Sequence, residues 1–583
     1  MKKIIYIIAV IIAYGLTSCD EIKFGDEFLG DAPESSGATL EEMFSSFINS
    51  EKILNRAYSN LPYGLPLNDS KMNGHVLETC TDLNYTFGTD IFVSLYYNGA
   101  LNASSNSHGQ IYQYGSESDW SAIRYSWIYI ENIDKTPDIP ESIKAERIAE
   151  AKMIIAISYS EMLRNIGGFP WIDHAVEPNE TMQYPRLTFA ESVDKIIALI
   201  DEAAPHLLWK QSDTDDGRMT KAGALGLKLR VLLFAASPTF NASVPWHGEA
   251  DEYTRYANVD PARWTRAKNA GEEFMRSLSE NGIYTLIKPE EETHQARREA
   301  YRKAYYDRGG TEILISVRKG FSSEIHEFYY GQRYYTSPTL NYVNMFSWED
   351  GTDFPQNFNW ENPATEPFFT EDDHKPMRDP RLYENVCVPG DIHFNGTIPP
   401  YYREHPNFRV GSNGGFFMMK FIFQDYPLRD GRPVQWPFMR LPEVLLSYAE
   451  AINETDGVPD AKAYECVNTI RSRVGLTALP QGLNKEQFRE AVLKERALEL
   501  GFEEVRWYDL VRWNRADDFK KTLYYLDVRI KSGTVSNPTS YSFAPMPLLP
   551  RYWARNWDTK WYLSPVPQNE INKKYGMTQN PGW

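Results

Sequence analysis

The chain has 583 residues, with 61 Lys and Arg against 79 Asp and Glu, for a formal charge of −18 at pH 7. That balance argues against nucleic acid as a partner and against electrostatic docking on an anionic bilayer, since there is no net cation excess to neutralise phosphates. Aromatic residues reach 14%, including 37 Tyr and 15 Trp; their flat amphipathic rings suit sugar faces and large helical cores alike, so composition does not choose between the two.

The N-terminus opens with Lys2 and Lys3 and continues as an apolar run from Ile4 to Leu16. As a helix that run rises about 20 Å, short of the ~30 Å hydrocarbon core, so it is read as a secretory signal and not as a membrane span. Leu16-Thr17-Ser18-Cys19 places one apolar and two small residues before a cysteine. This resembles a bacterial lipobox, in which cleavage precedes the cysteine and the thiol is acylated. Each buried CH₂ contributes about 0.8 kcal/mol, and stable anchoring takes at least two chains. Residues 1–18 are therefore expected to be a signal peptide, and Cys19 a lipid anchor. Losing Lys2 and Lys3 brings the mature chain to −20. Residues 19–38 are polar and Gly-containing and read as a tether. Cys80, Cys387 and Cys466 are odd in number and far apart, which predicts small buried residues and no disulfide framework.

Folding signals begin at Thr39, which has capping-box spacing to Glu42. Met43, Phe44, Phe47, Ile48, Leu54 and Tyr58 then recur near helical period. Further helices are predicted over Trp120–Lys135 and over Lys144–Asn165, the latter stopped by Gly167-Gly168. Thr188–Leu208 opens on Thr188 and Glu191, Thr220–Ala236 ends at Ser237-Pro238, and Pro261–Leu278 starts on proline. Leu441–Asn453, Asp460–Val474 and Lys485–Trp513 follow near the C-terminus. Between Ile283 and Pro437 the chain is rich in Pro, Gly, Asn and aromatics, with extended runs such as Glu312–Val317. Loops of that length in a compact domain are usually functional or disordered, and the aromatic density favours function. The helices come in pairs with short links, as in tetratricopeptide arrays, though without a constant period.

Catalytic signatures are weak. Glu495, Glu499 and Glu503 have i, i+4, i+8 spacing on one predicted helix face. They could supply a glycosidase carboxylate pair, but Arg471, Arg473, Arg496 and Arg506 are available to bind them into a structural network. His326-Glu327 lacks the second His of a zincin box, and Gly411–Gly415 lacks the Lys of a phosphate loop. Asp213, Asp215 and Asp216 before Gly217 suggest a structural calcium, but the register lacks the closing Glu of a calcium loop. A solvated turn is the better reading, and no cofactor is implied.

Several segments, in one order, carry a family resemblance. They are Glu150–Lys152 running on to Gly167–Trp171, Gly217–Ala222, Arg440–Glu454, Val467–Leu476, Glu495–Trp513, Tyr562–Pro567 and Asn580–Trp583. Together they resemble the RagB/SusD family of outer-membrane nutrient-binding lipoproteins over nearly the whole mature chain. The C-terminal signature is expected over residues 283–583, within one domain spanning 39–583. Pro442, where the family usually has a small residue, should affect only the first turn of a helix. The resemblance implies a mainly α fold of four tetratricopeptide-like helix pairs with loops and short strands on one side. It also implies a lipoprotein on the outer face of the outer membrane that lies over a SusC-like TonB-dependent transporter and delivers a glycan to it. In such relatives the region around Asp82, Asn84 and Tyr85 contributes ligand contacts, and aromatics after the central strand form a platform. Asp82 and Asn84 would bond hydroxyls while Tyr85 stacks, and Tyr329, Tyr330, Trp348 and Trp360 are the central candidates. Two alternatives stand beside glycan capture: peptide binding on the same fold, and, less favoured, a surface hydrolase.

Overall fold

The computed structural model describes residues 39–67, 77–86, 95–105, 117–177, 179–181, 183–321, 324–325, 336–391, 401–406, 408, 414–422 and 433–583. The first half is helical: α1 (Leu40–Met43), α2 (Phe47–Ser59), a short strand β1 (Asn84–Thr86), α3 (Glu117–Asn132), α4 (Glu141–Ile166), α5 (Phe189–Ala203), α6 (Lys221–Ala236) and α7 (Ala262–Asn281). The middle holds α8 (His294–Tyr306), β2 (Ile313–Phe321), β3 (Thr336–Pro338), α9 (Leu340–Val343), α10 (Pro380–Asn385), β4 (Val386–Cys387), β5 (Phe417–Met418) and β6 (Pro433–Arg440). The C-terminal part adds α11 (Leu441–Asp456), α12 (Ala461–Arg473), α13 (Lys485–Glu499), α14 (Arg506–Arg512), α15 (Ala516–Lys520) and the hairpin β7 (Tyr524–Thr534) and β8 (Asn537–Pro547).

From α2 to α7 each long helix packs on the next. Helix α7 then packs on α11, which also carries α12 and α13. This is the stacking of a helical solenoid: no helix buries its apolar face alone, and neighbours share one core. The class is mainly α, and the strands among the described residues form two-stranded antiparallel sheets: β1–β3, β2–β6, β4–β5 and β7–β8.

Local signals act where the sequence placed them. Thr188 Oγ1 accepts from the Glu191 amide at 3.2 Å while Glu191 accepts from the Thr188 amide at 2.9 Å, a complete capping box. Gly167 closes α4 and Ser237 closes α6. Pro442 sits in the first turn of α11, where the missing N–H disrupts nothing. The three cysteines are buried and unpaired, and burial pushes the Cys80 thiol up to about 12.

Three local expectations are corrected. The capping box at Thr39 opens only the single turn of α1; Ser46 caps α2 anew, and Ile48 is 77% exposed, off the buried face. Helix α8 lies in the region expected to be loops. The helix expected over Lys485–Trp513 is broken between α13 and α14. Phe502 and Glu504 adopt left-handed φ of 64° and 57° there, and a Cβ on Gly501 would stand 2.2 Å from Tyr342 Oη. Tertiary packing thus overrides good helix propensity at this point.

Candidate functional site

The break after α13 closes a buried charged network. Arg440 leaves β6 and pairs with Glu499 at 3.1 Å, Glu503 at 2.7 Å and Glu312 at 3.4 Å. Arg473 on α12 joins Glu312 at 2.8 Å and Glu499 at 2.6 Å, and Arg381 on α10 joins Glu495 at 2.6 Å and Asp379 at 2.8 Å. Burial acts to raise the pKa of Glu499, but Arg473, Arg440 and Arg381 outweigh it and hold the carboxyl at about 2. Of the arginines expected in this network, Arg471 reaches Glu495, while Arg496 goes to Asp509 and Arg506 to Asp82. Glu495, Glu499 and Glu503 are therefore occupied by cations inside the protein, an arrangement that joins elements and offers no carboxyl poised for proton transfer.

The Asp82–Arg506 pair ties this core to the strand region singled out in the sequence. Arg506 Nε and Nη2 donate to the two Asp82 oxygens at 2.9 and 2.8 Å, and Asp82 is 1% exposed. Just before it, the Glu504 amide donates to Glu78 at 2.9 Å, and Thr339 Oγ1 donates to the Asp82 carbonyl at 2.5 Å. These contacts place β1 beside β3, with Asn84, Tyr85 and Thr86 facing Pro338, Ser337 and Thr336. Alternation puts Asn84 and Thr336 on one face of the ribbon and Tyr85 and Ser337 on the other. Both amide atoms of Asn84 and the Thr336 hydroxyl are buried without a hydrogen-bond partner. Most buried polar groups have one, so these are exceptions in need of a cause.

On the opposite face Tyr85 stands 5.2 Å from Tyr97, ring to ring, and packs with Leu523 and Leu548 as a small apolar cluster apart from the main core. Its hydroxyl donates to the Leu549 carbonyl at 3.1 Å. Around it, Tyr524, Met546 and Leu549 are exposed and Tyr525 half-buried. These residues at the base of the β7–β8 hairpin were missed in the sequence, although Leu526, Val528 and Ile530 alternate there as a half-buried strand should.

The central candidates divide. Trp360 is interior, ringed by Phe354, Phe358, Phe368 and Phe543 at centroid distances of 5.8, 5.0, 5.8 and 6.1 Å. Trp348 is half-buried, packed on Phe354 at 5.1 Å and on the guanidinium of Arg378 at 5.4 Å. Phe543 pairs with Val528, five residues along the chain from Leu523, so this aromatic cluster lies about 17 Å from the Tyr85 cluster. Tyr329, Tyr330 and Cys19 lie outside the described residues. Asp215 and Asp216 pair with Arg218 and Arg318, and no metal-holding group of His, Cys, Asp or Glu occurs among the described residues.

Residues 316–583 match the SusD family. A SusD-like protein of Formosa agariphila is 24% identical over 429 residues, 67% of this chain and 71% of that one. A SusD-like protein of Bacteroides fragilis superposes with a TM-score of 0.72 at 25% identity, over 94% of this chain and all of that one. A second Bacteroides fragilis structure, described as a SusD-like carbohydrate-binding protein, gives 0.68 at 19% identity over 91% and 99%. Sequence match, relatives and whole-chain superposition agree with the order of helix pairs and strand ribbons, and together they support the SusD/RagB family for this chain.

Proposed function

We propose that this protein is a cell-surface lipoprotein, anchored through Cys19 in the outer membrane, that captures an oligosaccharide and hands it to a SusC-like TonB-dependent transporter. Family membership supports glycan binding in general. The observation that carries the reading is the contrast between the two kinds of polar group in the site region. The carboxylates that could act as an acid/base pair are bound to buried guanidinium groups. Aromatic and unpartnered amide groups instead gather on β1, β3 and the hairpin base. Ring stacking plus a few hydroxyl contacts is the chemistry such a surface offers. Affinity per site is modest and rises when the transporter holds the ligand close, through effective concentration.

Among the described residues no helix is long and apolar enough to cross a membrane, which is compatible with anchoring by lipid. Membrane fractionation of Cys19→Ala checks this: the variant is expected in the soluble fraction, and a variant that stays lipid-bound contradicts the anchor. Calorimetry against panels of glycans and peptides tests the ligand class. Glycan binding that weakens about tenfold in Trp348→Ala or Tyr85→Ala, with every glycan recovered intact, supports the reading. Binding of peptides alone moves the ligand class while leaving fold and family in place.

A further inference from the structure

Away from the ribbon, the turn before α6, strand β2 and the Gly309-Gly310 turn enclose a solvent-open cleft of about 380 Å³. Its lining carries the cations Lys210, Arg218 and Arg318 against the single carboxylate of Asp216, in a chain with a charge of −18. Arg318 makes one ion pair, from Nη2 to Asp216. Its Nε and Nη1 are buried without a partner, and it alone among the described arginines leaves two nitrogens so. Other buried arginines leave at most one nitrogen unpartnered, and the most deeply buried are well supplied: Arg381 and Arg440 each reach several carboxylates, and Arg378 reaches four backbone carbonyls.

Arg308 stands near Arg318 at the exposed rim, and its one hydrogen bond goes to the Val434 carbonyl at 2.6 Å. Burial, and then the like charge of Arg318, hold the Arg308 pKa below its usual range. Burial lowers that of Arg318 too, despite Asp216. Lys210 reaches into the cleft and donates to the Gly309 carbonyl at 3.2 Å. Arg218 is the exception in the lining, paired with Glu51, with Glu150 at 2.9 Å and with Asp215 at 3.2 Å. Of Lys210, Arg308 and Arg318, only Arg318 is thus paired with a carboxylate, that of Asp216, while the other two hydrogen-bond to backbone carbonyls. Gly309, at φ 72°, and Gly310 line the wall with bare backbone, so a ligand can approach closely.

We propose that this cleft binds a small oxyanion, a sulfate, phosphate or carboxylate group, between Arg318, Arg308 and Lys210. Guanidinium groups in excess of carboxylate, with donors left unsatisfied in a concave polar site, are the arrangement that recognises such groups. The group is either a free ion or a substituent on a captured sugar. This cleft does not depend on the ribbon platform, so the two readings fail separately.

The test is calorimetric titration of the full-length protein with sodium sulfate and sodium phosphate, against sodium chloride at equal ionic strength. Saturable binding is expected, weakened about tenfold in Arg318→Gln and in Arg308→Gln and partly kept in Arg318→Lys. Arg308→Gln alters an exposed side chain, so its loss of binding is not a folding defect. A sulfated monosaccharide and a uronic acid, compared with their neutral parent, separate the sources: tighter binding of the charged sugars points to a glycan substituent, and binding of inorganic ions alone to a free oxyanion. No saturable binding by any of these probes, or equal binding by both Gln variants and the parent protein, overturns the proposal.

Discussion

Two buried polar regions lie side by side and are built on opposite rules. In the network around Arg440 every ionised group has partners of the other sign, and Lys420 fits the same scheme, held by Glu503 at 2.6 Å and by the Tyr301 hydroxyl and Gly501 carbonyl. On the β1–β3 ribbon, Asn84 and Thr336 are buried with nothing to bond. A network matched in charge fixes how helices meet. Unsaturated polar atoms cost stability, so each one kept calls for a cause. The comparison separates the residues that hold the fold from those proposed to face a ligand.

The largest way to break the comparison is to remove one member of the charge-matched network. Arg440→Ala leaves Glu499 and Glu503 buried beside fewer cations and is expected to cost about 3–5 kcal/mol, read by urea denaturation; a loss under 1 kcal/mol would show the network to be replaceable.

Next comes Glu78, which adjoins both regions. Burial and then the Glu504 carboxylate push its pKa from an ordinary 4.5 up to about 8. The folded protein therefore keeps a proton that the unfolded chain releases. Its contribution is full below about pH 4.5 and is lost as pH rises toward 8, at about 1.4 kcal/mol per unit for this group alone. Glu78→Gln stays neutral, so the gap between variant and parent should widen from pH 5 to pH 8 by a few kcal/mol; parallel profiles would show Glu78 ionised throughout.

Gly501→Ala drives a methyl into Tyr342 Oη, 2.2 Å away, and should cost about 1–3 kcal/mol by thermal unfolding. Asn84→Val runs the other way. Removing an unpartnered buried amide from a strand is expected to stabilise by about 1 kcal/mol while weakening ligand capture; a destabilised variant with unchanged binding would give Asn84 to the fold. Smallest is Arg266→Ala, which breaks a surface pair with Asp194 at 3.1 Å and should change stability by no more than about 0.5 kcal/mol.

Much of the scaffold was legible because its signals are local. The capping box at Thr188 and the stops at Gly167 and Ser237 act within a turn of themselves, and the 3.6-residue period predicts which face is buried. The break after α13 was not legible, since it is imposed by Tyr342 and the Arg440 network from distant parts of the chain. The site was legible only as a region. That Asp82 serves Arg506, and that Trp360 is interior while Trp348 is half-buried, follow from packing across long sequence separations that no spacing encodes. Tyr524 and Tyr525 were passed over although Leu526, Val528 and Ile530 alternate beside them.

The attachment of residues 77–86 has a consequence for the order of assembly. Asp82 meets Arg506 across 424 residues, Glu78 meets the Glu504 amide across 426, and Thr79 meets Arg551 across 472. A chain emerging N-terminus first has made its early helix pairs long before any of these partners exists. Strand β1 can dock only after nearly the whole sequence is present, and closing such loops slows folding. Strand β1 is thus a late addition to a finished scaffold, and a chain cut short of Arg506 lacks the anchor that positions Tyr85.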